Sequence, residues 1–363
     1  MSVALETRLN DYMLTLDFTV GDELLALVGP AGAGKSVVLR SVAGVYTPDG
    51  GRITLHGRVV FQSSIGVSVA PGERRIGYVP QHFALFPHLN VAENVAFPLR
   101  RARQESIPDV ERRVSELLNL LDLTRLRDAA PGDLADAERW RIALARALIL
   151  DPELLLLDDT FAALDGGPRR QARAEFAALR RQIHVPTLVA TDDLEEACEI
   201  ADRIGIIDAG HLLQLDRPEE LLAHPATRRV ARLVGSSNII PGVISETWRA
   251  GLEIDTPLGP LRVASAPPGY GPGYAVDLVI RPDQLRVLGP REEPGPDDNV
   301  IHGAIVDEFV QNAIHALTVQ PEGGDLLLHL LVDDLAYQQL GLAAAQRRAL
   351  ALPAKALHVV ARG

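Results

Sequence analysis

The chain has 363 residues, with 36 Lys plus Arg against 48 Asp plus Glu, a formal charge of −12 and 47% hydrophobic residues. That length exceeds one average domain, and the apolar content excludes a disordered chain. The acidity excludes a partner held by its nucleic-acid phosphates, because such binding needs clustered Lys and Arg to release counterions.

The N-terminal MSVALETRLNDYMLTLDF lacks a charged region followed by an apolar one, so no signal peptide is expected. LLALVGP at 24–30 has the apolar density of a buried strand and KSVVLRSVAGV after it has helical spacing. Between them Gly29-Pro-Ala-Gly-Ala-Gly-Lys-Ser36 fits G-x-x-x-x-G-K-[ST]. The cradle expected from it comprises Gly29, Pro30, Ala31, Gly32, Ala33, Gly34, Lys35, Ser36 and Val37. Glycines let the backbone wrap a phosphate, inward N–H groups and the helix dipole favour the anion, Lys35 neutralises β- and γ-phosphate oxygens, and the Ser36 hydroxyl ligates Mg²⁺. A charged helical stretch at roughly 91–130 follows, expected as an inserted helical subdomain spanning about 88–150.

The run Leu154-Leu-Leu-Leu157 is expected as a core strand with Asp158 at its C-terminal end, where ligands bind in open α/β sheets. Asp158 is placed to hold Mg²⁺ through water, with Asp159 facing the attacking water. An Asp-Asp pair at a strand end also suits a turn, and the phosphate loop upstream favours the metal. RRQARAEFAALRRQI is amphipathic, and PTLVATDD at 186–193 is another buried strand. This alternation predicts a parallel sheet with helices packed on it. A single cysteine, Cys198, rules out an intrachain disulfide, suits a reducing compartment and is expected as a buried small hydrophobe. No run approaches the ~18–20 apolar residues of a spanning helix. A cytoplasmic protein is expected.

Near Gly235 the composition changes: Pro and Gly thicken at 266–274 and 289–298, and short β-like runs replace long helices. Asn238-Ile-Ile-Pro-Gly-Val-Ile244 and Asn299-Val-Ile-His-Gly-Ala-Ile305 share a pattern 61 residues apart, pointing to a duplicated β-barrel or to a chance echo. Ser236, Ser237, Asn238 and Asn299 are candidate oxyanion donors, or ordinary turn formers.

The phosphate loop, Tyr78-Val-Pro-Gln81, Arg141-Ile-Ala-Leu-Ala-Arg-Ala-Leu148, the Leu154–Asp159 run and Ala162-Ala-Leu-Asp165, in that order, resemble the ATP-binding subunit of an ABC transporter over roughly residues 1–235. The resemblance implies a P-loop NTPase α/β domain with a helical insertion at 1–235, followed by a small β-barrel accessory domain at 236–363. It implies ATP and Mg²⁺ as cofactors. Gln81 becomes the loop glutamine that touches Mg²⁺ and the attacking water, Asp165 a dimer-interface residue, and Tyr12 the ring that stacks on adenine, or else a surface tyrosine. Pro71-x-Glu-Arg-Arg75 and Leu85-Phe-Pro-His88 resemble importers of molybdate, sulfate, iron, polyamines and sugars; TLDFTV and the duplicated oligonucleotide-binding-type (TOBE) tail look most like the molybdate type. Implied partners are membrane-spanning permease subunits, a periplasmic or extracellular solute-binding protein and an identical second subunit, with the chain peripheral on the inner membrane face. Phe83, Leu85 and Phe86 either touch the permease or pack in the helical subdomain.

Three departures from the family pattern cluster around the γ-phosphate. Leu134, Ala135, Asp136, Ala137 and Glu138 stand where the family has L-S-G-G-[QE], so the serine and both glycines are absent and Asp136 faces a polyanion. Unit charges ~4 Å apart interact by about 4 kcal/mol at an effective dielectric of ~20. Asp159 replaces the catalytic Glu and sits back by roughly an ångström, which can cost ~10²-fold in rate. Asp192 replaces the switch histidine, and an ionised carboxylate only accepts where the imidazole donates. Thr160 replaces a proline. Nucleotide binding with slow or absent hydrolysis is therefore expected. The alternative is a non-hydrolysing nucleotide- or oxyanion-sensing regulator derived from such a subunit.

Overall fold

The computed structural model describes residues 1–9, 11–102, 106–248, 251–265, 269–289, 291–342 and 347–362. Residues 103–105 of the expected helical stretch, 266–268 at the head of the Pro- and Gly-rich run and 290 in the linker lie outside them. The chain divides into two units, Met1–Pro218 and Glu219–Gly363. The division falls ahead of the composition change near Gly235 because Ala231, in a short helix, packs with Val279 and Val360 of the second unit.

In the first unit the described strands are β1 (Ser2–Leu9), β2 (Tyr12–Thr19), β3 (Leu24–Val28), β4 (Gly50–Leu55), β5 (Arg58–Gln62), β6 (Val67–Ser68), β7 (Ile76–Val79), β8 (Leu154–Asp158), β9 (Thr187–Thr191), β10 (Arg203–Asp208) and β11 (His211–Asp216). They form one sheet in the order β6-β5-β4-β1-β2-β11-β10-β3-β9-β8-β7. Strands β10, β3, β9, β8 and β7 run parallel. Every residue of β3, β8 and β9 is buried, which is what helices on both faces of a parallel sheet demand. The β1–β2 hairpin instead alternates buried and exposed residues, as an antiparallel arm with one wet face does.

The helices of this unit are α1 (Lys35–Ala43), α2 (Val91–Ala102), α3 (Ile107–Leu120), α4 (Asp136–Leu148), α5 (Gly166–Ile183) and α6 (Leu194–Ile200). α1 ends at Gly44 in the left-handed region, φ 80°. Arg74 plugs that end: Nη1 donates to Ser41 O and Val42 O at 2.8 Å, and Nε donates to Val69 O at 2.8 Å. A Cβ on Gly44 would stand 2.6 Å from Arg74 Nε, so these two residues require each other. The Pro71-x-Glu-Arg-Arg75 motif thus holds the far end of the helix whose near end carries the phosphate loop. Cys198, on α6, is half-buried rather than a core residue, because α6 buries only Glu196, Ala197 and Ile200.

The second unit contains helices α7 (Pro218–Ala223) and α8 (Arg228–Leu233), then β12 (Asn238–Trp248), β13 (Gly251–Thr256), β14 (Gly259–Val263), β15 (Ala275–Ile280), β16 (Arg286–Val287), β17 (Asp298–Gln311), β18 (Ile314–Pro321), β19 (Leu328–Asp333), α9 (Asp334–Leu340), β20 (Arg347–Pro353) and β21 (His358–Ala361). Two five-stranded sheets, β14-β13-β12-β15-β21 and β16-β20-β17-β18-β19, share one core that includes Ile240, Ile254, Leu278, Ile305, Val319 and Leu350.

The two echoing segments are the central strands β12 and β17. Each carries a bulge one residue past its last isoleucine. Each carries a glycine with no room for a side chain: a Cβ would meet Ile254 Cγ2 at 2.5 Å from Gly242 and Val319 Cγ1 at 2.6 Å from Gly303. The two asparagines clamp across the sheets. Asn238 accepts from His329 N and donates to His329 O, both at 2.7 Å; Asn299 accepts from Arg262 N at 2.7 Å and donates to Arg262 O at 2.9 Å. Each therefore mimics a backbone strand toward an edge of the opposite sheet. The expectation that they serve as oxyanion donors is corrected, since their amides are spent on backbone. The short last strand of each half is exchanged: β16, which follows β15, pairs with β20, and β21, which follows β20, pairs with β15.

Candidate functional site

The Gly29–Ser36 loop joins the buried β3 to the first turn of α1, as its sequence context predicts. A Cβ on Gly29 would lie 1.9 Å from Ile207 O, and one on Gly34, at φ 104°, would lie 2.7 Å from Leu14 Cδ1. Glycine is obligatory at both, and the loop is drawn into a tight cradle with the N-terminus of α1 behind it. Lys35 is buried, its Nζ donating to Gly29 O at 2.6 Å and Pro30 O at 3.0 Å. Burial lowers its pKa, and the charges of Asp192, Asp159 and Asp158 oppose that fall. The Tyr12 hydroxyl donates to Gly32 O. Its ring lies against Gly210, whose added Cβ would meet Tyr12 Cδ2 at 2.6 Å. Tyr12 is thus tied to the phosphate loop through its hydroxyl.

The end of β8 brings both carboxylates to this cradle. Asp158 is 2% exposed; Ser36 Oγ donates to its Oδ1 at 2.7 Å and the Tyr78 hydroxyl to its Oδ2 at 2.8 Å. Asp159 turns out of the strand at φ 52°, and Gln81 Nε2 donates to its Oδ2 at 2.7 Å. Asp159 Oδ1 is buried with no protein partner, as is Thr160 Oγ1. Burial raises the Asp159 pKa, Asp192 adds to the rise, and Lys35 opposes it. Asp192 is exposed in the turn after β9, and its charge is felt at both Lys35 and Asp159. Phosphate loop, Ser36, Gln81, Asp158, Asp159 and Asp192 therefore form one site.

The donor set suits a hard divalent cation. A buried carboxylate, a hydroxyl bonded to it and an amide are all oxygen-bearing groups of the kind Mg²⁺ takes, and the orphaned Asp159 Oδ1 leaves an acceptor for a bound water. Among the described residues no group of three or more His, Cys, Asp or Glu side chains makes an all-protein metal cage.

The Leu134–Glu138 segment and Asp165 lie at helix starts rather than in this cluster. Ala135 precedes α4; its N–H donates to Glu138 Oε2 at 2.9 Å, but alanine returns no cap. Asp136 is exposed and pairs with Arg139 of its own helix, with Arg139 Nε at 3.1 Å from Oδ1. The negative charge of Asp136 is thus partly balanced by Arg139 of the same helix. Asp165 precedes α5 exposed, with no side-chain cap bond.

Of the two alternatives for Phe83, the buried one fits its position, at 4% exposure. Arg146 donates to Phe83 O at 2.6 Å and Ala84 O at 2.7 Å and lies over the Phe86 ring. The buried Asn94 binds Phe86 N at 2.8 Å and accepts no movement of that loop without losing further bonds to Leu89 O and Asn90 O. Leu85 and Phe86 stay half-exposed. Sequence reasoning missed Arg146, Tyr78 and the buried Glu196. Tyr78 offered one signal, a phenol on a strand three residues before a site glutamine.

A family model described as "ABC transporter" matches residues 14–162. A sulfate/thiosulfate import ATP-binding protein CysA of Xanthomonas campestris pv. campestris is 40% identical over 286 residues, 77% of this chain and 77% of that one. Namesakes from Synechococcus elongatus and Methylococcus capsulatus are each 43% identical, over 67% and 62% of this chain and 68% and 65% of theirs. The chain thus spans about two thirds of these last two relatives. Among solved structures, cbiO1 from Clostridium perfringens aligns at TM-score 0.54 and 22% identity over 61% of this chain and 90% of that one. A dimeric ATP-binding cassette bound to ADP and Pi aligns at TM-score 0.50 and 24% identity over 60% and 96%. These two carry the fold alone.

Proposed function

The chain belongs to the ATP-binding subunits of ABC importers, and from that premise we propose that it binds MgATP and couples binding, with slowed hydrolysis, to uptake of an inorganic oxyanion. The supporting observation is the division of its site. Groups that hold nucleotide within one subunit are in place: the glycine cradle, Lys35 and the Ser36–Asp158 bond. Groups that sense or close upon the γ-phosphate differ: Asp159, Asp192 and the Asp136–Arg139 pair. Ser36, Gln81 and Asp158 would hold Mg²⁺, which would supply positive charge against the nucleotide phosphates. Lys35 releases the Gly29 and Pro30 carbonyls to reach phosphate, and Asp159, steadied by Gln81, orients the attacking water.

The relatives named above are sulfate/thiosulfate importers, so sulfate or thiosulfate replaces the expected molybdate as the transported ion. The reading includes an identical second subunit, two membrane-spanning permease subunits and a solute-binding protein. Among the described residues no helix is long and apolar enough to cross a membrane; in this reading the permease subunits carry the spanning part and the chain sits peripherally on the cytoplasmic face. No nucleic acid is involved. The regulatory alternative gains no support from the relatives, which are named for import.

Phosphate release by the full-length protein, alone and with its permease, tests this. Rates well below the ~1 s⁻¹ of ordinary enzymes, with nucleotide binding lost in Lys35→Ala, are expected. Turnover at ~1 s⁻¹ or more that disappears in Lys35→Ala overturns the slow-hydrolysis reading. Uptake of labelled sulfate against molybdate by the reconstituted importer decides the ion.

A further inference from the structure

Two donors contend for one oxygen of Asp158. Tyr78 Oη donates to Oδ2 at 2.8 Å, and Arg40 Nε, from α1, faces the same oxygen at 3.8 Å. The first is a hydrogen bond and the second is too long to be one. Arg40 is half-exposed, so it has the freedom to move closer. Ser36 occupies Oδ1 at 2.7 Å, which leaves the phenol as the group that decides what Oδ2 sees.

The difference matters because a carboxylate attracts Mg²⁺ through its charge. A guanidinium is always protonated and forms bidentate pairs with carboxylates, so direct contact would cancel the charge the cation needs. A phenol satisfies the buried oxygen and brings no charge. We propose that Tyr78 is a positioning residue for the Mg²⁺ site, a neutral spacer that fixes the Asp158 carboxylate and holds Arg40 at the looser 3.8 Å ion pair, out of direct hydrogen-bonded contact. This rests on the reading of Ser36 and Asp158 as that site.

One further feature fits. Tyr78 and Gln81 also lie on one strand and its following loop, and the parallel register Tyr78↔Leu156, Val79↔Leu157 brings that segment alongside the C-terminal end of β8. Tyr78 then holds Asp158 while Gln81 holds Asp159, so one segment grips both adjacent carboxylates with uncharged donors.

The test is the Mg²⁺ dependence of fluorescent ADP-analogue binding to the full-length protein, which needs no turnover. Tyr78→Phe is expected to raise the half-saturating Mg²⁺ concentration about tenfold, as loss of an outer-shell partner does, with affinity in EDTA unchanged. Adding Arg40→Gln to Tyr78→Phe restores the wild-type titration, and Arg40→Gln alone tightens Mg²⁺ up to about fivefold, the worth of one charge ~4 Å away in water. A Tyr78→Phe titration that overlays wild type, a double variant that stays weak, or an Arg40→Gln that fails to tighten overturns the proposal. Wild-type binding indifferent to Mg²⁺ overturns the metal reading as well, whereas Mg²⁺-dependent wild type with unshifted Tyr78→Phe overturns the spacer alone.

Discussion

Asp158 and Asp159 are neighbours in sequence but not in environment. Asp158 ends a strand with both oxygens engaged, whereas Asp159 leaves it at φ 52° with one oxygen held by Gln81 and one orphaned. Lengthening the second should advance its carboxylate toward the water: Asp159→Glu with Asp192→His is expected to raise phosphate release by up to ~10²-fold over wild type, read in a single-turnover assay. Glu196 gives a pH effect. Burial lifts its pKa to about 7 from 4.5, chiefly by desolvation. The folded state then keeps a proton that the unfolded chain sheds as pH rises above 4.5, so this contribution is full below 4.5 and is lost as pH climbs through about 7. Between those limits stability falls by about 1.4 kcal/mol per pH unit. Melting curves should show a smaller loss between pH 5 and 7 in Glu196→Gln than in wild type. The residue chemistry was legible where a motif fixes it, at Lys35, Ser36 and Asp158. Tyr78, Arg40 and Arg146 were not, because their roles depend on which strand end or carbonyl lies opposite in space.

At the level of elements, the strands that carry the site announce themselves. LLALV, LLLLD and TLVAT are buried along their whole length, and an uninterrupted apolar run with a helix on either side has few other homes. Arg74 is the opposite case, a buried cation that the sequence offers only as part of a motif and whose guanidinium the structure places at the end of α1. Arg74→Met should strip the guanidinium from three carbonyls, of which Ser41 O keeps Gly44 N as a donor, and lower unfolding free energy by about 2–4 kcal/mol, measured by denaturant titration of the full chain. In the second unit the asparagine clamps make a graded prediction. Asn238 is 1% exposed whereas Asn299 is half-buried, so the amides stripped by Asn238→Ala cannot be rehydrated as readily. Asn238→Ala should therefore destabilise by about 2–3 kcal/mol and Asn299→Ala by about 1 kcal/mol. The repeat in sequence marked these strands, but their clamping role and the exchange of β16 and β21 stayed hidden, since pairing across distant segments leaves no local periodicity.

For the whole molecule, the −12 charge acquires an address. Asp136 and Asp192 stand where the family keeps glycine and histidine against phosphate, and in the proposed symmetric dimer each nucleotide would meet both, one from each subunit. Asp136 is partly answered by Arg139, so Asp192 is the larger obstacle. Asp192→His alone should raise phosphate release more than Asp136→Gly alone, and the pair together with Asp159→Glu should exceed the sum of the separate gains, because the groups serve one composite site.

The exchanged strands of the second unit also set an order on its synthesis. Ala275–Ile280 pairs with His358–Ala361, so the sheet of the first half of the second unit lacks an edge strand until the His358–Ala361 segment has left the ribosome. The first unit closes its sheet with His211–Asp216 long before that. The nucleotide-binding part can thus be folded on the ribosome while the accessory part waits for its final strand, and a nascent chain halted before His358 should carry a finished first unit and a protease-sensitive second one.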